Sequence, residues 1–200
     1  MDRATSSVTV ITPTVAGREA MLRRALDSVK AQTIAPNHVM WRRDVAQVGH
    51  GAHVRNEMIF EADTEWIACL DDDDWWLPNH LELLLDESQH VRPLSHWLVG
   101  KHRRPADVVV ALYEHSDGSP PVGGHHCDYR LLEGQNWFHP SACLLRRSSV
   151  VAVGGFPDPR PPLWDDWALW VNLLRAGATF ACVHEVTSIK AVHPGNISRA

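Results

Sequence analysis

Four consecutive aspartates, Asp71 to Asp74, have the residue type and spacing best suited to chemistry in this chain. They follow an apolar run at residues 66–70, which is typical of a strand buried on both faces. Adjacent carboxylates repel one another and gain nothing from packing, so a purely structural role is unfavourable. A hard divalent cation, Mg²⁺ or Mn²⁺, together with a diphosphate ligand would relieve that repulsion. The alternative is a solvated acidic turn that also caps a helix starting near Pro78.

The elements that position this run alternate between strand and helix, the pattern of a doubly wound α/β fold. Apolar or β-branched runs predict strands at 8–12, 39–41 and 66–70, the first of which stops at Pro13. Helical spacing of apolar residues predicts helices at 18–32, at 54–62 and after Pro78. Because ligands in such folds bind beyond the carboxyl ends of strands, the acidic run falls where a site is expected.

The second half of the chain has a less regular pattern. Strands are predicted at 108–112, 142–145, 179–183 and 187–192, and helices at 148–153 and 165–175. The segment from Ser116 to Gly134 is rich in Gly, Pro and His and predicts a long loop, which in a compact domain is functional or mobile.

The overall composition is that of an ordinary globular protein, with 44% hydrophobic and 22% charged residues in a length of 200 that fits one domain. A formal charge of −5 implies no general affinity for nucleic acid or anionic membranes. No stretch is long and apolar enough to span a bilayer, and the polar start lacks a signal peptide. The four cysteines are scattered, which indicates reduced thiols and a cytoplasmic location.

A series of short segments resembles the family 2 inverting glycosyltransferases of the GT-A fold. Each segment alone is a weak signal, but their order and spacing agree over nearly the whole chain. The segments are Val10-Ile11-Thr12-Pro13-Thr14, Arg24-Ala25-Leu26-Asp27-Ser28-Val29 with Gln32-Thr33, Val54-Arg55-Asn56, Leu70-Asp71-Asp72-Asp73-Asp74 with Trp76 and Pro78, His139-Pro140-Ser141, Gly154-Gly155-Phe156, Trp164-Asp165-Asp166-Trp167 with Leu169-Trp170, and Val192-His193-Pro194-Gly195-Asn196.

The resemblance implies an α/β fold: a single GT-A domain over residues 1–200, with a Rossmann-like mixed sheet flanked by helices. About 1–78 would bind the nucleotide sugar and about 79–200 the acceptor. The implied reaction is a metal-dependent, inverting transfer of a sugar from a nucleotide-diphosphate donor to an acceptor hydroxyl. Mn²⁺ or Mg²⁺ would be the cofactor.

The same resemblance assigns roles to individual residues. Asp73 of the Asp-x-Asp signature would coordinate the metal, and His193 would touch the metal or the diphosphate. Asp165 and Asp166 replace a Glu-Asp pair at the acceptor site, and Asp166 would be the general base; capping of the following helix is the other role for Asp165. The implied nucleotide-sugar-binding residues are Pro13, Thr14, Asp44, Arg55, Asn56, Asp71 and Asp72.

The segment Trp41-Arg42-Arg43-Asp44-Val45 departs from the family's acidic turn after the second strand. Only Asp44 remains of that turn, so the identity of the donor's nucleobase stays open. The acceptor is equally open: a glycan, a protein, a lipid-linked sugar, a small molecule or a modified base.

Two other functions compete with glycosyl transfer. A nucleotidyltransferase also pairs a metal with an Asp run, but the Gly-rich loop that normally opens that class is missing. A non-catalytic sugar-nucleotide-binding protein would keep the fold, although the retained Asp166 and His193 argue against lost activity. The cluster His125-His126-Cys127 lacks a second ligand pair at zinc-finger spacing and predicts a loop cluster.

Overall fold

The computed structural model describes residues 7–46, 51–89, 105–119, 135–158 and 164–193. The strands in these ranges are β1 (Val8–Thr14), β2 (His38–Arg43), β3 (Trp66–Cys69), β4 (Trp75–Trp76), β5 (Val108–His115), β6 (Cys143–Arg146) and β7 (Phe180–Lys190). The helices are α1 (Glu19–Lys30), α2 (Ala52–Glu61), α3 (His80–Gln89), α4 (Arg147–Ala152) and α5 (Asp165–Arg175). All seven strands join one mixed sheet in the order β2-β1-β3-β6-β5-β7-β4.

The strands β2, β1 and β3 are parallel, so their carboxyl ends meet at one edge of the sheet. The sequence predicts that β1 ends before Pro13, but the strand continues to Thr14. Proline is tolerated there because the pairing of β1 with β3 ends at Ile11, so the missing N–H of Pro13 faces no partner strand on that side.

The other half of the sheet is antiparallel at β6, which pairs with both β3 and β5. The predicted strands at 179–183 and 187–192 are one strand, β7, because the register against β5 shifts near Leu112 and absorbs the polar residues between them. The two-residue β4 was not predicted. Its pairing of Trp75 with Ile189 and of Trp76 with Ser188 brings the end of β7 to the acidic run.

Buried side chains form a layer on each face of the sheet. One layer is built around Met58 of α2 and Trp170 of α5, and the other around Val29 of α1 and Leu84 of α3. Trp66 and Trp170 have no exposed surface and belong to the core. The sheet is therefore held between α2 and α5 on one side and α1 and α3 on the other.

The cysteines differ in part from the expectation. Cys69 and Cys143 are free and buried, but Cys182 is disulfide-bonded, so the prediction that all four thiols are reduced is wrong. The cysteines consequently give no support to a cytoplasmic location, which stays a prediction. None of the helices in the described part of the chain has the length and hydrophobicity needed to cross a membrane.

A glycine turn before α5 is fixed by the side chain of Asn56. Its amide Nδ2 donates to the carbonyl oxygen of Phe156 at 2.7 Å, and the Phe156 N–H donates to Oδ1 at 2.8 Å. Gly155 has a φ of 81°, and a Cβ added to it would lie 2.3 Å from Asn56 Oδ1. Asn56 therefore acts as a structural clamp that requires glycine at position 155.

This clamp predicts that Gly155→Ala is more destabilising than Gly154→Ala. Both glycines have positive φ, which costs an alanine about 1–2 kcal/mol, but a Cβ on Gly154 meets nothing within 4 Å. The alanine at 155 should cost a further 1–3 kcal/mol, roughly, because it breaks the Asn56 hydrogen bonds. Urea unfolding of both variants measures the difference, and equal losses of stability would contradict the clamp.

Candidate active site

The four carboxylates of the acidic run contact different sets of partners. Leu70 continues β3 by donating its N–H to Ile11, and a turn follows in which the Asp74 N–H donates to the Asp71 carbonyl at 3.1 Å. Each carboxylate in this turn has its own set of contacts, and Arg18 is shared by Asp72 and Asp73. The turn geometry thus separates four negative charges that are adjacent in sequence.

Asp74 anchors the turn to the protein interior. It is 1% exposed, and its Oδ2 accepts hydrogen bonds from Ser141 Oγ at 2.6 Å and from His139 Nε2 at 2.5 Å. Its Oδ1 accepts from the N–H of Ala191 at 2.9 Å. Ser141 Oγ also accepts from the N–H of Asp71 at 3.0 Å. The resemblance included His139-Pro140-Ser141 without a role, and the structure supplies one: these residues hold the acidic turn in place.

Asp72 joins the acidic run to the end of β1. Its Oδ2 accepts from Thr14 Oγ1 at 2.7 Å and its Oδ1 from Arg18 Nη1 at 2.9 Å. The sequence pattern places Arg18 at the start of a predicted helix and indicates no role for it in the site. A contact of Asp72 or Thr14 with the donor stays a prediction.

Asp73 and His193 lie together, as the resemblance implied. His193 Nε2 is 3.0 Å from Asp73 Oδ2, and Arg18 Nη1 is 3.4 Å from the same oxygen. Burial, followed by the negative charges of Asp74 and Asp71, raises the pKa of Asp73. The surroundings of this carboxylate therefore disfavour its charged form, and a bound divalent cation would favour that form.

Arg55 forms a buried bridge between the acidic run and the start of α5. Its Nη2 is 2.6 Å from Asp71 Oδ1, and its Nη1 is 3.3 Å from Asp165 Oδ2. Burial acts most strongly and would raise the pKa of Asp71, but the charge and the hydrogen bond of Arg55, together with His139 and Lys190, outweigh burial and the pKa is lowered. The implied role of Arg55 in binding the nucleotide sugar stays a prediction; in the structure the guanidinium connects two carboxylates.

Asp165 sits in a less favourable position on the same bridge. Burial raises its pKa to about 6, because the longer contact with Arg55 only partly offsets burial and the charge of Asp166 adds to it. The N-cap of α5 is Trp164, with no side-chain cap hydrogen bond. The carboxylate of Asp165 contacts Arg55 and also interacts with the backbone N–H of Asp166.

Asp166 follows on the first turn of α5 and is more accessible than Asp165. Its Oδ2 accepts from Asn136 Nδ2 at 3.0 Å, and its Oδ1 accepts from the N–H of Trp167 at 2.6 Å. These donors hold the orientation of the carboxylate. Asn136 lies three residues before His139 in a stretch to which the sequence assigned no function.

The predicted nucleoside-binding residues collect at the carboxyl ends of β1 and β2. Asp44 is buried, donates its N–H to the Thr14 carbonyl at 2.7 Å, and has its Oδ1 3.3 Å from His53 Nε2. Pro13 lies beside Gly51 at the start of α2. The structure therefore brings Pro13, Thr14 and Asp44 together, while their contact with a nucleoside stays a prediction.

Two arrangements of side chains among the described residues could hold a cation. Ligand atoms of Asp71, Asp74 and His139 lie within 4.8 Å of one another. However, Asp74 and His139 already bond to each other, and Asp74 accepts two further hydrogen bonds. Asp73 with His193 is the better candidate, because the pair is partly exposed and its carboxylate has a raised pKa. The residues present thus fit a divalent cation at Asp73.

Comparison with known proteins gives one family match and several structural matches. The sequence model of the family "Glycosyl transferase family 2" matches residues 46–150, more than half of the chain. No curated protein matches the sequence significantly. TarS 1-349 from S. aureus in complex with UDP-GlcNAc is 13% identical with a TM-score of 0.69, covering 95% of this chain and 60% of its own. The mannosyltransferase PcManGT from Pyrobaculum calidifontis, in complex with GDP-Man and Mn²⁺, is 18% identical with a TM-score of 0.62, covering 94% and 58%.

These matches confirm the predicted fold, a mixed sheet flanked by helices of the GT-A type. At such low identities the likeness shows the fold alone. The chain spans about 60% of the length of the matched structures.

The raised pKa of Asp165 predicts a pH-dependent loss of stability. The folded state holds the proton more tightly than the unfolded state, so the stability of the wild-type chain falls relative to Asp165→Asn as pH rises from about 4 to 6. The loss should be about 1–3 kcal/mol and complete above pH 7. Urea unfolding of both proteins at several pH values measures it, and a constant difference between them would contradict the raised pKa.

Proposed function

Because the chain belongs to glycosyl transferase family 2, we propose that it transfers a sugar from a nucleotide-diphosphate donor to an acceptor hydroxyl. The reaction is metal-dependent and inverting, with Asp166 as the general base. The family match confirms the family and the enzyme class that the resemblance of the sequence implied. The reaction, its dependence on a metal and the identity of the general base are proposals that go beyond the family match.

The observation that carries the proposal is the pairing of two acidic centres on one buried arginine. Arg55 contacts Asp71 of the acidic run and Asp165 at the start of α5. An inverting transfer needs one centre for the leaving diphosphate and another that accepts the proton of the attacking hydroxyl. A donor sugar placed between Asp73 and Asp166 would have one centre on each side.

The donor class is supported by what the structural matches contain. One TarS structure holds UDP-GlcNAc, another holds UDP, and PcManGT holds GDP-Man and Mn²⁺. For this chain we propose a nucleotide-diphosphate sugar, bound by Pro13, Thr14 and Asp44 around the nucleoside and by Asp71 at the ribose. The identity of the base and the sugar stays open because the turn after β2 differs from the family pattern.

Asp73 and His193 would hold the cation, Mn²⁺ or Mg²⁺. A divalent cation at that position acts as a Lewis acid that stabilises the negative charge on the departing nucleoside diphosphate. Asp74 contributes indirectly, since its hydrogen bonds to Ser141 and Ala191 fix the turn on which Asp73 lies.

Asp166 suits the role of base better than its neighbour. The carboxylate of Asp165 is buried and occupied by Arg55, whereas Asp166 is only partly buried. The N–H donors of Asn136 and Trp167 keep Asp166 in a fixed orientation, as a general base requires. The proposed division of the domain is that about 1–78 would bind the donor and about 79–200 the acceptor.

The donor is identified by a thermal-shift screen of UDP-, GDP-, dTDP- and CDP-sugars with and without Mn²⁺. A ligand that binds only the folded state raises the melting temperature through linkage. We expect one nucleotide class to raise it, and more so with Mn²⁺. No shift with any of the four classes would reject the proposed function.

The metal assignment predicts that Asp73→Asn removes the effect of Mn²⁺ on nucleotide binding. The variant keeps the shape of the side chain but loses the charge that binds the cation. Calorimetric titration of the nucleoside diphosphate with and without Mn²⁺ measures this, with Asp27→Asn, an exposed carboxylate on α1, as the control. Unchanged Mn²⁺ dependence in the Asp73 variant would exclude Asp73 as a ligand.

The base assignment predicts that Asp166→Asn lowers kcat by about 10²–10⁴-fold with little change in donor affinity. The amide preserves the hydrogen-bonding shape but cannot accept the proton. Steady-state kinetics with the donor found in the screen test this, and Asp165→Asn serves as the comparison. Normal turnover in the Asp166 variant, with loss in the Asp165 variant, would transfer the role to Asp165.

A further inference from the structure

We propose that Arg18 is a resident countercharge at Asp73 that a divalent cation displaces, so that Arg18 couples metal binding to nucleotide binding. The inference rests on the proposed function, because it concerns the cation site at Asp73. It adds a residue that neither the family match nor the sequence assigns to the site.

The geometry places Arg18 on two carboxylates at once. Its Nη1 lies 2.9 Å from Asp72 Oδ1 and 3.4 Å from Asp73 Oδ2. The shorter contact is to Asp72, whose other oxygen accepts from Thr14. Arg18 is therefore held mainly by Asp72, and its contact with Asp73 is the weaker of the two.

The Asp73 oxygen reached by Arg18 is also the one that faces His193. His193 Nε2 lies 3.0 Å from Oδ2 of Asp73, the same atom that Arg18 approaches. A cation bound by Asp73 and His193 through this oxygen would lie close to the guanidinium. Because like charges at such a separation repel strongly in a partly buried site, Arg18 must withdraw when the cation enters.

Arg18 has room to withdraw. Its side chain is 26% exposed, and it occupies the N-cap position of α1 without making a side-chain cap hydrogen bond. Movement away from Asp73 can thus preserve the contact with Asp72. A nucleoside diphosphate arriving with the cation would offer the guanidinium a new anionic partner, so Arg18 opposes the metal alone and favours the metal together with the nucleotide.

Arg24 provides a matched control on the next turn of the same helix. Its Nη2 donates to the backbone carbonyl of Asp73, and its guanidinium stacks on the ring of Trp75 at 4.1 Å. It contacts the same residue as Arg18, but no hydrogen bond from Arg24 to the carboxylate of Asp73 is found among the described contacts. Removal of Arg24 should therefore leave the competition with the cation intact.

The test is the affinity for Mn²⁺ in the absence of nucleotide, measured by calorimetry or by the electron paramagnetic resonance of free Mn²⁺. Arg18→Gln should bind Mn²⁺ more tightly than the wild-type protein, by roughly tenfold, a typical coupling between two ligands. Arg18→Lys keeps the charge and should stay near the wild-type affinity, as should Arg24→Gln. Circular dichroism and thermal melting verify that the variants are folded.

The second measurement is the affinity for the nucleoside diphosphate at saturating Mn²⁺. Arg18→Gln should weaken it, since the displaced guanidinium is no longer available to the diphosphate. Tighter Mn²⁺ binding together with weaker nucleotide binding is a combination that a general loss of structure does not produce.

The inference and the proposed function fail in different ways. If the wild-type protein binds Mn²⁺ through Asp73 but Arg18→Gln binds it equally or more weakly, the proposed displacement of Arg18 by the cation is wrong and the metal site stands. If Asp73→Asn binds Mn²⁺ as tightly as the wild-type protein, the metal site itself is wrong, and the inference falls with it.

Discussion

Repulsion among four adjacent carboxylates at the end of a buried strand is the constraint that the rest of the site satisfies. The carboxylates of the acidic run bond to several segments of the chain and hold those segments together. Asp72 connects to the end of β1, Asp74 to the end of β7, and Asp71 to α2 through Arg55. The cost of placing the charges together is thus offset by interactions that also define the geometry of the site.

Arg55 of α2 connects the acidic run to α5, which packs on the same side of the sheet. Burial of the Arg55 guanidinium would cost free energy if either Asp71 or Asp165 were missing. One carboxylate alone would satisfy only part of the hydrogen-bonding capacity of the guanidinium. The bridge therefore fixes the distance between the acidic run and the start of α5. Any movement of α5 relative to β3 must stretch these contacts. Buried contacts, rather than surface loops, therefore determine the distance between the proposed metal site and the proposed base.

The sequence predicted the strands and helices around the acidic run well, because buried strands and amphipathic helices have strong periodic patterns. It did not predict β4 or the continuity of β7, since a two-residue strand has no period and the bulge near Leu112 depends on pairing with a distant strand. The resemblance assigned Asp73 to the metal and His193 to the metal or the diphosphate, and the contact between the two side chains is seen only in the structure. The contacts of Arg18, His139 and Asn136 could not be deduced, because each joins residues more than 25 positions apart.

Among the described residues, the charged groups in direct contact at the site carry a net negative charge. Six carboxylates are present, at Asp71 to Asp74 and at Asp165 and Asp166, and the guanidinium groups that contact them belong to Arg18 and Arg55. His139 and His193 add at most one positive charge each, through Asp74 and Asp73. Two negative charges then remain among these described groups even with both histidines protonated. Burial, and after it the neighbouring carboxylates, raise the pKa values of Asp73 and Asp165. One divalent cation carries the charge needed to balance the two remaining negative charges, and a donor diphosphate, being anionic, increases the requirement.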